Sequence, residues 1–151
     1  MFNSTNSGLF MLFTGIEAAI IAQLLKFFGY MIINRKIDWR MLVTTGGMPS
    51  SHSAGVVGLT TAVAIVCGLN SVEFAIAATY ALVVMYDAAG LRRSAGKMAQ
   101  CLNRIMDDIY QHNPIDAGDK LKELLGHTPL EVFFGAITGI VIAYINFVLL
   151  V

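Results

Sequence analysis

Apolar residues gather into four long stretches separated by polar ones. The first covers residues 8–33 and is interrupted by Glu17, Gln23 and Lys26. The second covers 53–69 and is rich in Ala, Val and Gly. The third covers 72–91, and the fourth 129–151, with no charge after Glu131. Each has, or nearly has, the length a helix needs to cross a hydrocarbon core of about 30 Å, the second being the shortest. Only the turn at 68–71 separates the second and third, so they form an antiparallel hairpin. The small residues Ala54, Gly55, Gly58, Ala62, Ala75, Ala77, Ala78 and Ala81 along it are expected to permit close helix approach. Within the polar segment that follows, residues 94–110 carry Met98, Cys101, Leu102, Ile105, Met106 and Ile109 at helical spacing. This predicts an amphipathic helix on the bundle end or the membrane surface. The expected fold is all-α, a single domain over residues 1–151: an integral membrane bundle of about four transmembrane helices plus an amphipathic cytoplasmic helix.

Composition supports this picture. Hydrophobic residues make up 56% of the 151 and charged residues only 13%. With a mean hydropathy of +0.68, there is too little polar surface to cover a water-soluble globule. The formal net charge is zero, so no global basic surface for nucleic acid is indicated. The first seven residues lack Lys and Arg, which argues against a cleaved secretory signal. Cys67 and Cys101 show no metal-ligand spacing and are expected to be buried, inert thiols.

The distribution of charge sets an expected topology. Nine of the ten Lys and Arg residues lie in segments 34–52 and 92–128, and the tenth is Lys26. With four spans, both basic segments fall on one side, and the positive-inside rule makes that side the cytoplasm. Both termini then face outward, in a multi-pass protein of the cell membrane.

The candidate chemistry collects at that cytoplasmic end. Gly46-Gly47-Met48-Pro49-Ser50-Ser51-His52-Ser53 enters the second span, Asp87 to Arg93 leaves the third, and Gly126-His127-Thr128-Pro129-Leu130-Glu131 enters the fourth. Ser50 or Ser51 can cap a helix whose first N–H groups form an anion site. His52 beside them can bond a phosphate oxygen or protonate a leaving group; the plain alternative is a cap with an incidental histidine. Thr128-Pro129-Leu130-Glu131 reads as a capping box with Pro at the first helical position. Glu131, four residues after His127, can also orient that ring and stabilise its charged form. Arg92 and Arg93 suit phosphate by their fork geometry, or else snorkel to headgroups. Asp87, at the same depth, calls for a cationic or histidine partner. Lys26 shares a helix face with Gln23, Ala19 and Ala22, which is expected to meet the bundle with Lys26 aimed at the cytoplasmic end; snorkelling is the alternative. Glu17 has no evident role, and His112 is expected to be a solvated loop histidine.

Pro49-Ser50-Ser51-His52 resembles the Pro-Ser-Gly/Ser-His motif of the type 2 phosphatidic acid phosphatase superfamily, and His127-xxx-Glu131 is similar to that superfamily's His-xxx-Asp. Ala22-Gln23-Leu24-Leu25-Lys26, Tyr86-Asp87-Ala88-Ala89-Gly90-Leu91-Arg92-Arg93, Leu102-Asn103 and Leu121-Lys122-Glu123-Leu124-Leu125-Gly126-His127-Thr128-Pro129 look like its divergent membrane branch. The resemblance implies a membrane phosphatase acting on a lipid or isoprenoid phosphate monoester or diphosphate. His127 would be the nucleophile, Glu131 its orienting carboxylate and His52 the general acid. Asp87 would belong to the same centre. Lys26, Ser50, Ser51, Arg92 and Arg93 would contact phosphate, with no metal or other cofactor. The superfamily's Lys-x6-Arg-Pro element is absent, and Leu121 stands six residues before His127 where an Arg would be expected. Lys26, Arg92 and Arg93 would have to supply that charge. The alternatives are a non-enzymatic protein of the same architecture that binds phospholipids or serves as a membrane partner subunit, and a small-solute transporter with Glu17 and Lys26 along its path. The expected partners are the lipid substrate and membrane lipids, and the small-residue faces are compatible with a homodimer.

Overall fold

A computed structural model describes residues 4–43, 47–109 and 126–150. Helix α1 spans Ser4–Asn34, α2 Ser51–Cys67, α3 Val72–Ala89, α4 Leu91–Ile109 and α5 Pro129–Leu150, with a short 3-10 helix at Trp39–Leu42. No strand occurs among the described residues. Among the described residues, three helical runs are long and apolar enough to cross a membrane: Ser7–Asn34, Val72–Asp107 and Pro129–Leu149. The protein is an all-α membrane bundle.

Helix α2 is the shortest of the apolar helices, at 17 residues, about 25 Å along its axis. It occupies the centre, packed against α1, α5 and α3. Its neighbours shield it, so it need not match the bilayer thickness on its own. The close approach expected of the small residues in α2 is made chiefly to α1 and α5 at Ala54, Gly55 and Gly58. A Cβ on Gly58 would stand 2.9 Å from the Ala18 Cβ of α1, and a Cβ on Gly139 of α5 would run into the Ala54 carbonyl oxygen. Hydrocarbon offers no hydrophobic drive between helices, so this close backbone approach is what gains dispersion energy. Towards α3, Thr60 Oγ1 donates to the Ala77 carbonyl at 3.1 Å, and Ser71 caps α3 through a 3.1 Å bond from Phe74 N–H.

Past α1 the chain folds back on that helix. Gln23 Nε2 donates to the Met41 carbonyl at 2.8 Å, and Trp39 stacks on Phe27 with ring centroids 5.6 Å apart. Beyond α3 the helix breaks at Gly90, and the expected amphipathic segment forms α4. Among the described residues α4 packs on α3 only, leaving Met98, Leu102 and Ile105 exposed. Cys67 and Cys101 are also exposed, contrary to expectation. In a membrane bundle an apolar position can face lipid as readily as the core, so an apolar neighbourhood in sequence does not imply burial.

Candidate active site

Three helix ends meet at one level because backbone hydrogen bonds tie them together. Ser50 N–H donates to the Glu131 carbonyl at 3.0 Å, joining the start of α2 to the first turn of α5. His127 N–H donates to the Ala88 carbonyl at 3.1 Å, joining the start of α5 to the end of α3. Each helix start is also capped by its own side chain. Ser50 Oγ accepts from Ser53 N–H at 3.3 Å and from the Ser53 hydroxyl at 3.1 Å. Thr128 Oγ1 accepts from Glu131 N–H at 3.3 Å, while Glu131 Oε2 accepts from Thr128 N–H at 3.3 Å. That reciprocal pair is the capping box.

The same carboxylate oxygen accepts from His127 Nδ1 at 3.0 Å. The capping and orienting roles of Glu131 therefore coexist on one atom. A carboxylate at Nδ1 places the neutral ring's hydrogen there, so the lone pair belongs to Nε2. His127 is 2% exposed, whereas His52 is exposed. The two rings face each other with centroids 6.1 Å apart and planes inclined by 64°. That separation lies within the roughly 8–10 Å that one phosphate can bridge at about 3 Å per hydrogen bond.

Lys26 reaches the site from α1. It is 2% exposed, so it does not snorkel to the membrane surface. Its Nζ donates to Gln23 Oε1 at 3.2 Å, and the Glu131 carboxylate acts on it electrostatically. Gly47, with φ of +85°, lies along its stem: a Cβ there would be 3.4 Å from Lys26 Cδ. Gly47 marks this backbone approach, although its contact with Lys26 is not evident from sequence. Gln23 is a second participant, legible only as a neighbour on the same helix face.

The remaining candidates fall into place less uniformly. Ser50 is fully buried and its oxygen caps α2. Ser51 and His52 hold the first two helical positions, where N–H groups lack acceptors within the helix. Asp87 is half-buried in the last turn of α3, next to Ala88. Arg92 and Arg93 start α4 directly after the Gly90 break, and their side chains lie outside the described residues, as does His112. Glu17 is not part of the site; it accepts a 2.6 Å hydrogen bond from Asn146 of α5.

Taken together, the buried histidine with its carboxylate, the facing histidine and the buried lysine can bind an anion, attack it and donate a proton. A profile of the Divergent PAP2 family matches residues 8–142. The chain is also 44% identical over 147 residues to "Uncharacterized membrane protein YuiD" of Bacillus subtilis (strain 168), covering 90% of this chain and 92% of that relative. No solved structure matches it. A match over that length, carried by a bundle whose helix ends bring the motif residues together, makes the chain a member of the Divergent PAP2 family.

Proposed function

We propose that this protein is a membrane phosphatase that hydrolyses a lipid or isoprenoid phosphate through a phosphohistidine on His127. The observation that carries the proposal is the facing pair of imidazoles, one buried on a carboxylate and the other open to the surface.

In the first step the Nε2 lone pair of His127 attacks phosphorus. The P–O ester bond breaks, and the departing oxygen takes a proton from His52. Glu131 stabilises the positive charge that grows on the attacking ring. Water then attacks the phosphohistidine, passes a proton to His52, and the N–P bond breaks to release phosphate. Lys26 and the first N–H groups of α2 offset the negative charge on the phosphoryl oxygens. Asp87 lies beside the His127 anchor, and Arg92 and Arg93 start the next helix, where their charge would draw the phosphate headgroup.

The positive-inside distribution supports a site on the cytoplasmic face of the cell membrane. A polar end on an apolar bundle suits an amphiphile whose phosphate stays wet while its chain stays in lipid.

The test is release of inorganic phosphate from lipid phosphates by the purified chain in oriented vesicles. Turnover is expected in inside-out vesicles and not in sealed right-side-out ones. Binding of the lipid with no turnover would replace the enzyme with a lipid-phosphate-binding protein, and turnover only from the opposite face would overturn the topology.

A further inference from the structure

Between α1 and α2 a groove of about 350 Å³ opens on the bundle surface. Its α1 wall is Leu12, Gly15, Ile16 and Ala19, one helix face at i, i+3, i+4, i+7. Gly55, Val56 and Leu59 form the α2 wall, and Ser51 and His52 line it at the end of the groove nearest the site. The helices run antiparallel, so the groove leads from His52 to the level of Leu12 and Leu59.

Two glycines set its shape. A Cβ on Gly55 would stand 3.2 Å from the Ala19 Cβ, and one on Gly15 would stand 3.0 Å from the Leu59 Cβ. The backbones therefore approach closely along the floor, while Ile16, 47% exposed, forms a rim. From Ser51 to Leu59 the helix rises about 12 Å. Half of a hydrocarbon core is about 15 Å. The groove thus runs for roughly one leaflet, starting at a histidine and ending in aliphatic side chains.

Resting on the phosphatase reading, we propose that this groove seats one hydrocarbon chain of the substrate, drawn laterally from the leaflet on the site's side. The occupant is a phosphate-headed lipid with its headgroup at His52 and its chain along the α1–α2 seam. A chain leaving other lipid tails gains little hydrophobic energy. The groove instead acts by register: it holds the chain parallel to the seam and so fixes the phosphate between the two histidines, a contribution of orientation. Continuity with His52 distinguishes it from other lipid-facing surface. The larger groove of about 500 Å³ on α3, around Ile76, Thr79, Tyr80 and Val83, has no histidine along it.

A photoreactive phosphatidic acid, with a diazirine midway along one chain, tests this on the full chain in lipid vesicles. Cross-links mapped by mass spectrometry should fall on residues 12–19 and 55–59 several-fold more often than on residues 72–83 of α3. Excess unlabelled phosphatidic acid should compete them away, and excess diacylglycerol should not. Ile16→Trp should reduce the groove cross-links several-fold, while Ile76→Trp on α3 should leave them unchanged. Equal labelling of the two faces, or equal competition by diacylglycerol, would overturn the proposal, since both describe bulk lipid contact. Competed groove labelling without phosphate release would retain the groove and remove the phosphatase. Phosphate release without groove labelling would do the reverse.

Discussion

At the site end of the bundle, Glu131 accepts hydrogen bonds from a buried histidine and from the start of its own helix, beside a buried lysine. About 14 Å away along α1, Glu17 accepts from Asn146 at the bundle surface, and Asn146 also reaches Thr14 Oγ1 at 3.5 Å. Both clusters are built around a carboxylate. The first adds a histidine held in one tautomer, a second histidine facing it, and the N-termini of two helices. The second has an amide and a hydroxyl, groups that do not titrate in the working range. The difference teaches that a carboxylate inside a membrane bundle is not by itself a sign of chemistry. What matters is whether it fixes a group that can attack or donate a proton.

Substitutions can break or sharpen that contrast. The largest losses are expected at the two rings. His127→Ala should abolish turnover, because it removes the proposed nucleophile. His52→Ala should slow an alkyl phosphate by roughly 10²–10⁴, the usual worth of general acid catalysis, and slow an aryl phosphate with a good leaving group much less. Equal slowing of both substrates would remove the acid role from His52.

A smaller loss is expected at Glu131. Glu131→Gln keeps an acceptor for Thr128 N–H and removes the negative charge beside His127. A hydrogen bond to a charged group contributes about 1.5–3 kcal/mol, so the rate should fall by about 10- to 160-fold with helix content retained. An unchanged rate would leave Glu131 as a cap alone.

The smallest effect belongs to the other cluster. Glu17→Gln keeps an oxygen for Asn146 and should shift stability by about 1 kcal/mol at most, with turnover unchanged. A large loss of turnover there would erase the distinction between the clusters.

The helices and most of their ends are legible in sequence because uninterrupted apolar runs are bounded by residues with a local job. Ser50, Ser71 and the Thr128–Glu131 box cap helices, and Gly90 separates a lipid-facing helix from an amphipathic one. His52, His127 and Glu131 are legible for the same reason, since a histidine at a helix start is positioned by the cap next to it. What escapes depends on contacts distant in the chain. Whether Lys26 turns inward or snorkels is decided by Gly47 and Gln23 packing around it. Which helices the small residues of α2 serve depends on α5, more than 80 residues later. The exposure of Cys67 and Cys101 follows from the bilayer, a second apolar surrounding that hydropathy does not distinguish from a protein core. Ser50, a candidate phosphate contact by motif, has its oxygen engaged in the cap.

The most direct measurement is the covalent intermediate itself. The wild-type chain, mixed with a lipid phosphate and quenched in base where phosphohistidine survives, should carry one phosphoryl group. Peptide mapping should place it on His127, and it should be absent from His127→Ala of intact helix content. Turnover with no phosphoryl group on His127, or an undiminished rate in folded His127→Ala, would contradict the assignment of His127 as nucleophile.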